Sequence, residues 1–125
     1  MSKPVVYVLI NGELKMSPGK AIAQASHAVI DMAKRGIGID GLPRTVIVLE
    51  AKNQIQMLNL QSYARQHALV AEVYIDEGVN EIDPYNITAM AISGIDADDL
   101  DKREIFRQFP LYPEHKPKWY NPFAI

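Results

Sequence analysis

Three polar residues, Lys20, Gln24 and His27, have side chains and a spacing that would let them act together on a ligand. Successive residues of a helix are rotated by about 100°, so these three side chains would project from one stripe, one turn apart. Lys20 would lie in the first turn, where unpaired backbone N–H groups already favour an anion. The stripe therefore predicts a site for a negatively charged group.

The same spacing also has a purely structural interpretation. Asp31 and Lys34 continue the stripe, and any helix at a protein surface presents a polar, solvated face. A lone histidine such as His27 is more often a hydrogen-bonded structural residue than a catalyst. Periodicity by itself leaves both interpretations open.

The flanking pattern predicts the elements that would position these residues. Continuous apolar, β-branched runs predict strands at residues 5–10, 45–49, 70–75 and 87–92. Helices are predicted from Pro18, with Ser17 as the N-cap, to about residue 35, and over residues 54–67. Residues 96–103 form either a short acidic helix or a charged loop, and the proline-rich segment from residue 106 onward is expected to wrap the surface.

The order strand, helix, strand, helix, strand is typical of parallel strands joined by crossover helices, with the fourth strand free to pair antiparallel. We therefore predict an α/β fold: a single three-layer domain with a mixed, mostly parallel four-stranded sheet and helices on both faces. Two sets of residues should pack toward the core. In the first helix they are Ala21, Ile22, Ala25, Val29 and Met32. In the second they are Ile55, Met57, Leu58 and Tyr63.

Composition narrows the class of protein. The chain of 125 residues suits one domain, and no apolar run is long enough to span a membrane. The absence of cysteine excludes disulfides and thiolate metal sites, and we expect a cytoplasmic location. The net charge is −2, but ten of the fifteen acidic residues lie between positions 72 and 104, whereas the first thirty-five residues hold five basic and two acidic ones. A polyanion should therefore approach the N-terminal half.

Three segments together resemble a known family. Residues 15–28, KMSPGKAIAQASHA, match a signature of the form K-M-x-x-G-K-x-A-A-Q-x-[SA]-H-A that follows a first strand. Residues 76–82 and 84–94 match two later motifs in the same order and spacing. The chain thus resembles the type 2 peptidyl-tRNA hydrolases, and the resemblance extends over roughly residues 5–112.

The resemblance implies hydrolysis of the ester that joins a peptide to the 3′ ribose of tRNA, with no metal or organic cofactor. Seven positions within the segments that resemble the family's motifs are candidates for the site. The catalytic candidates are Lys20, Asp76 and His27. The substrate-binding candidates are Gly19, Gln24, Asn80 and Thr88.

The resemblance also implies a role for each kind of group. Asp76, at the carboxyl end of a strand, would position or activate the water, and Lys20 would stabilise the oxyanion or hold a phosphate. Asn80 and Thr88 would hydrogen-bond the acceptor end of peptidyl-tRNA. Gln24 and His27 would orient substrate or water.

Several positions depart from the family's pattern. Val79 and Asn80 replace an arginine and a threonine, and Tyr85 and Asn86 replace a glycine and a threonine. These departures keep open an alternative, a non-catalytic relative that binds tRNA or a protein partner. A second alternative is an unrelated α/β interaction module whose helix matches by chance.

The last residues fall outside the resemblance. We predict a hydrolase-like domain over residues 1–112 and a C-terminal extension over residues 113–125. The extension interleaves Lys116 and Lys118 with Trp119, Tyr120 and Phe123. Such a segment could stack on unpaired bases, or cover apolar surface or a neighbouring subunit in a homodimer.

Overall fold

A computed structural model of the chain describes residues 3–34, 45–76 and 86–113. Its strands and helices occur where the sequence predicts them. The strands are β1 (Pro4–Asn11), β2 (Thr45–Ala51), β3 (Val70–Ile75) and β4 (Ile87–Asp96). The helices are α1 (Pro18–Lys34), α2 (Gln54–Gln66) and α3 (Leu100–Arg103), with 3-10 turns at Gly12–Leu14 and Glu104–Gln108. The stretch before residue 104 thus contains a short helix rather than only a charged loop.

The described strands form one mixed sheet in the order β2-β1-β4-β3. β1 pairs in parallel with β2, and β4 is antiparallel to both β1 and β3. β3 therefore runs in the same direction as β1 and β2, although it does not pair with either of them. The predicted single α/β domain with a mixed four-stranded sheet is confirmed.

β1 lies in the interior because its side chains are apolar on both faces, and they alternate between two buried clusters. Val5, Tyr7 and Leu9 join a cluster that contains Met57, Leu60 and Ala64 of α2. Val6, Val8 and Ile10 join a second cluster that contains Ala21, Ala28 and Met32 of α1. We call the two sides of the sheet the α2 face and the α1 face.

The buried stripe of each helix differs in part from the prediction. Ile22 of α1 is 68% exposed and Ile55 of α2 is 69% exposed, and Leu58 is also exposed, so these three predicted core residues are wrong. Both helices carry more apolar residues than a sheet can cover, and periodicity does not show which of them face it. In α1 the buried stripe consists of Ala21, Gln24, Ala28 and Met32, which places a glutamine among the core residues.

The chain after α3 does more than wrap the surface. Phe106 and Phe109 are buried in the α2-face cluster, where Phe106 stacks on Tyr7 with ring centroids 3.8 Å apart. The next residues run along the outer edge of β2. There the N–H of Glu50 donates to the carbonyl of Pro110, and the N–H of Tyr112 donates to the carbonyl of Val48. This segment satisfies backbone groups that an edge strand would otherwise expose.

Candidate active site

The site lies at the end of the sheet where β1, β2 and β3 finish and β4 begins. Because these three strands point the same way, their last residues come together there, and α1 begins at the same end. The buried Asn11 joins the parts: its Nδ2 donates to the carbonyl of Ile87 at 2.9 Å, and its Oδ1 accepts from the N–H of Glu13 at 3.1 Å. The fold thus gathers polar groups from distant parts of the chain at one edge.

Lys20 and Asp76 form an ion pair at this edge. The helix begins as predicted, with the hydroxyl of Ser17 accepting from the N–H of Lys20, so Lys20 lies in the first turn of α1. Its Nζ lies 3.0 Å from Oδ1 of Asp76, the residue directly after β3, and the two side chains are only 9% and 5% exposed. Removing two charges from water costs free energy that their attraction seldom repays in full. This pair is therefore weak evidence for a purely stabilising role, and it makes Lys20 and Asp76 the candidates for chemistry at this edge.

Gln24 and Thr88 form a second polar pair one turn further along α1. The Thr88 hydroxyl donates to Oε1 of Gln24 at 2.5 Å, and both residues are buried. Thr88 reaches α1 because β4 has a bulge: Tyr74 pairs with Ala89 and Ile75 pairs with Ile87, which leaves Thr88 as an extra residue. Without this bulge the strand's alternation would direct Thr88 toward the α2 face.

His27 and Tyr74 form a third pair in the next turn. Their rings are stacked, with centroids 4.6 Å apart and planes 7° from parallel. Tyr74 is half-buried and packs on the α1-face cluster, whereas His27 stays exposed. The three pairs follow one flank of α1, the flank toward β3 and β4, from its N-terminus onward.

The opposite flank of α1 has a different character. It borders an apolar groove of about 400 Å³. Its described lining residues carry no charge, and they are Ile10, Pro18, Ala21, Ile22, Ala25, Ser26, Val48, Tyr112 and Pro113. The charged and hydrogen-bonding groups named above are thus confined to one flank of the helix.

Comparison with known proteins identifies the family. The family model for Peptidyl-tRNA hydrolase PTH2 matches residues 4–112. A peptidyl-tRNA hydrolase of Pyrobaculum aerophilum is 30% identical over 105 residues, covering 76% of this chain and 88% of the relative. Those of Methanocaldococcus jannaschii and Methanopyrus kandleri are 28% and 26% identical, again over 76% of this chain and over 90% and 88% of the relatives. The chain belongs to the peptidyl-tRNA hydrolase PTH2 family.

The PTH2 match includes all six residues of the three pairs. Among the sequence-predicted site residues, the fold brings Lys20 to Asp76 and Gln24 to Thr88. Gly19 is exposed in the first turn of α1, beside Lys20. Asn80 lies outside the described residues.

Sequence reasoning did not identify Tyr74. A signal was present, because residues two apart on a strand share a face, and Tyr74 comes two residues before Asp76. Of the two interpretations left open for the polar stripe, the solvated face does not hold for Gln24, since this side chain is only 3% exposed. Helical spacing placed it beside Lys20 but did not reveal a buried partner on the sheet.

In the described ranges no three histidine, aspartate or glutamate side chains lie close enough together to hold a metal ion. None of the helices in the same ranges has the length and apolar content needed to cross a bilayer.

Proposed function

We propose that this PTH2-family chain hydrolyses the ester bond of peptidyl-tRNA, releasing free tRNA and peptide, at the Lys20–Asp76 pair. The observation that carries the proposal is the buried contact of 3.0 Å between these two groups at the N-terminus of α1. It places a cation and a carboxylate together at the N-terminal end of a helix. Ester hydrolysis requires these capacities: activation of water and stabilisation of an oxyanion.

Asp76 acts on the water and Lys20 on the ester carbonyl. The neighbouring ammonium favours the ionised carboxylate, which accepts a hydrogen bond from the attacking water. As the water oxygen bonds to the carbonyl carbon, its proton passes to Asp76, and negative charge develops on the carbonyl oxygen beside Lys20. The bond to the 3′ ribose oxygen then breaks, and that oxygen takes up the proton as the tRNA leaves.

The remaining predicted residues bind substrate. Thr88 and Asn80 hydrogen-bond the acceptor end, and Gln24, one turn beyond Lys20, orients the substrate or the water. At Gly19, apart from its chain neighbours and the backbone of its own helix, no described atom lies within 4 Å of where a Cβ would be, so the first turn is open to close approach by a substrate. His27 orients the substrate.

The proposal also includes the predictions on cellular location, substrate, domain bounds and assembly. The enzyme acts in the cytoplasm, on peptidyl-tRNA presented at its acceptor end. Residues 1–112 form the hydrolase domain, residues 113–125 are an extension of it, and two copies of the chain form a homodimer.

The deciding experiment measures release of labelled peptide from purified peptidyl-tRNA by the wild-type chain and by Lys20→Met. Methionine keeps the unbranched, flexible part of the side chain without its charge, and loss of one oxyanion-stabilising group lowers kcat by about 10²- to 10³-fold. A folded wild-type chain that binds tRNA but releases no peptide would instead establish the non-catalytic relative. Equal turnover by wild type and Lys20→Met would overturn the role of Lys20.

A further inference from the structure

We propose that His27 and Tyr74 form a stacking platform for an unpaired base at the acceptor end of the substrate. This inference rests on the proposed function, which supplies a tRNA end beside Lys20. It gives a role to Tyr74 and specifies the orienting role of His27 as recognition of a nucleobase.

The geometry of the pair suits stacking. Tyr74 is held in β3 and half-buried against the α1-face cluster, so its ring provides a fixed support. His27 lies parallel to that ring at a centroid distance of 4.6 Å and remains exposed, so a further flat ring can continue the stack on it. Single-stranded RNA is commonly held in this way, by bases that stack on tyrosine and histidine rings.

The hydrogen bonding of His27 argues against proton transfer. A catalytic imidazole is normally oriented by a hydrogen bond from its second ring nitrogen to a third group. In the described ranges His27 has no hydrogen bond or ion pair to another side chain, and its described partner is the ring of Tyr74. The ring is therefore positioned by stacking. Stacking fixes the plane of the ring but does not orient either ring nitrogen toward a partner.

The position of the platform fits the length of an acceptor end. His27 follows Lys20 by seven residues, which is about 10 Å along the helix axis. This distance is comparable to that from a 3′ ester to the first or second base of the strand that carries it. Between Lys20 and His27 the same flank of α1 holds the buried Gln24–Thr88 pair.

Charge beyond the platform limits how the RNA can continue. Asp31 lies one turn after His27, and Glu72 precedes Tyr74 by two residues on the same face of β3. The Asp31 carboxylate, in line with His27 on the helix, disfavours a phosphate backbone that stays along α1. The platform therefore suits the last unpaired bases, with the rest of the RNA leaving the helix at this point.

The test compares three variants in hydrolysis of peptidyl-tRNA. His27→Ala removes the platform's outer ring and should raise KM by about 5- to 150-fold, the range for one base–aromatic stack. His27→Phe keeps a flat ring without a titrating nitrogen and should restore KM close to the wild-type value. His67→Ala is the matched control, because His67 stacks on Tyr63 at 3.9 Å in α2, away from the site, and its loss should leave KM unchanged.

A binding measurement separates this inference from the proposed function, since it needs no turnover. The probe is an RNA hairpin without an attached amino acid or peptide. Its single-stranded 3′ ACCA end carries 2-aminopurine in place of the last adenine. Wild type and His27→Phe should quench its fluorescence, and His27→Ala should not. Equal quenching by wild type and His27→Ala would overturn the platform. A second contrary result would come from the hydrolysis assay: His27→Phe would show the same changes in kcat and in the pH–rate profile as His27→Ala, so that keeping a flat ring made no difference.

Discussion

Each face of the sheet contains a cationic side chain that contacts a polar group of the sheet or of its strand ends, and the two cations differ in what they contact. On the α1 face, Lys20 meets the carboxylate of Asp76 at the end of the sheet where three strands finish. On the α2 face, Nε of Arg103 donates to the hydroxyl of Tyr7 at 2.9 Å, and Nη1 donates to the carbonyl of Ala97 at 2.8 Å. Ala97 follows the antiparallel β4 and therefore lies at the opposite end of the sheet.

The difference shows which polar contacts point to chemistry. Arg103 uses its charge on neutral acceptors, and it fastens α3 and the chain after β4 to the middle of β1. These hydrogen bonds have a structural role, because they satisfy polar groups within the fold. Lys20 and Asp76 are nearly enclosed charges whose pairing has a desolvation cost, and they lie where a substrate can reach the N-terminus of α1. Opposite charge, burial and position at the strand ends together distinguish the Lys20–Asp76 pair from the hydrogen bonds of Arg103.

The largest expected difference between the two faces is that between the variants Asp76→Asn and Arg103→Met. Asp76→Asn keeps the shape of the side chain but removes the proton acceptor, so we expect kcat/KM for peptidyl-tRNA to fall by about 10²- to 10⁴-fold. Arg103→Met should leave kcat/KM of the folded protein unchanged and lower the free energy of unfolding by about 1–3 kcal/mol, through the lost hydrogen bonds. Initial rates and urea denaturation measure the two effects.

Asp76→Asn also leaves the Lys20 ammonium buried without its carboxylate, so the folded fraction must be measured with the rates. If the loss of rate only followed the loss of folded protein, Asp76 would be a structural residue like Arg103. A loss of rate in Arg103→Met at full folding would make the two faces equivalent and contradict the distinction.

A smaller effect is expected from two buried hydroxyls of β4. Thr88→Val removes the donor to Gln24 and leaves a buried oxygen without its partner, which should lower the free energy of unfolding by about 1–3 kcal/mol. Ser93 is buried on the same strand, but its hydroxyl has no hydrogen-bond partner in the described part of the chain, so Ser93→Ala should be close to neutral. Denaturation midpoints of both variants, with Thr88→Ser as the variant that restores the hydroxyl, decide between the two predictions.

If Ser93→Ala were as destabilising as Thr88→Val, the hydrogen bond to Gln24 would not explain the loss, because the Ser93 hydroxyl has no such partner in the described part of the chain.

The smallest effect concerns pH and the aspartate at the other end of the sheet. Backbone N–H groups of Asp98 and Lys3 donate to the exposed Asp96 carboxylate at 3.0 Å, and they lower its pKa from the usual 3.8. A pKa lowered by folding adds stability that is present above pH 3.8 and is lost as the pH falls through the folded-state value. Asp96→Asn should therefore flatten the acid side of the stability curve and leave hydrolysis at neutral pH unchanged.

Urea titrations at a series of pH values down to below 3.8 follow this effect. A steeper loss of stability in acid for Asp96→Asn than for wild type would show that the two backbone hydrogen bonds do not favour the charged form.

Local sequence patterns were enough for the elements but not for the helix faces. Ser17 and Pro18 predict the start of α1 because capping acts within one turn, and the structure confirms it. Ile22 and Ile55 were predicted to be buried, and both are exposed, because the width of the contacting stripe depends on what packs against the helix. Gln24 is buried because a bulge in β4 brings Thr88 to it, and a bulge 64 residues away leaves no mark in the spacing of α1.

The sequence by itself determined the family, the order of strands and helices, and the candidates Lys20 and Asp76, since each depends on a contiguous motif or a local period. Only the tertiary structure decided that these two charges meet, 56 residues apart, and that Tyr74 lies under His27. The physical reason is the position of β4. By inserting antiparallel between β1 and β3, it keeps the end of β3 beside the start of α1, and that pairing depends on contacts that no single segment contains.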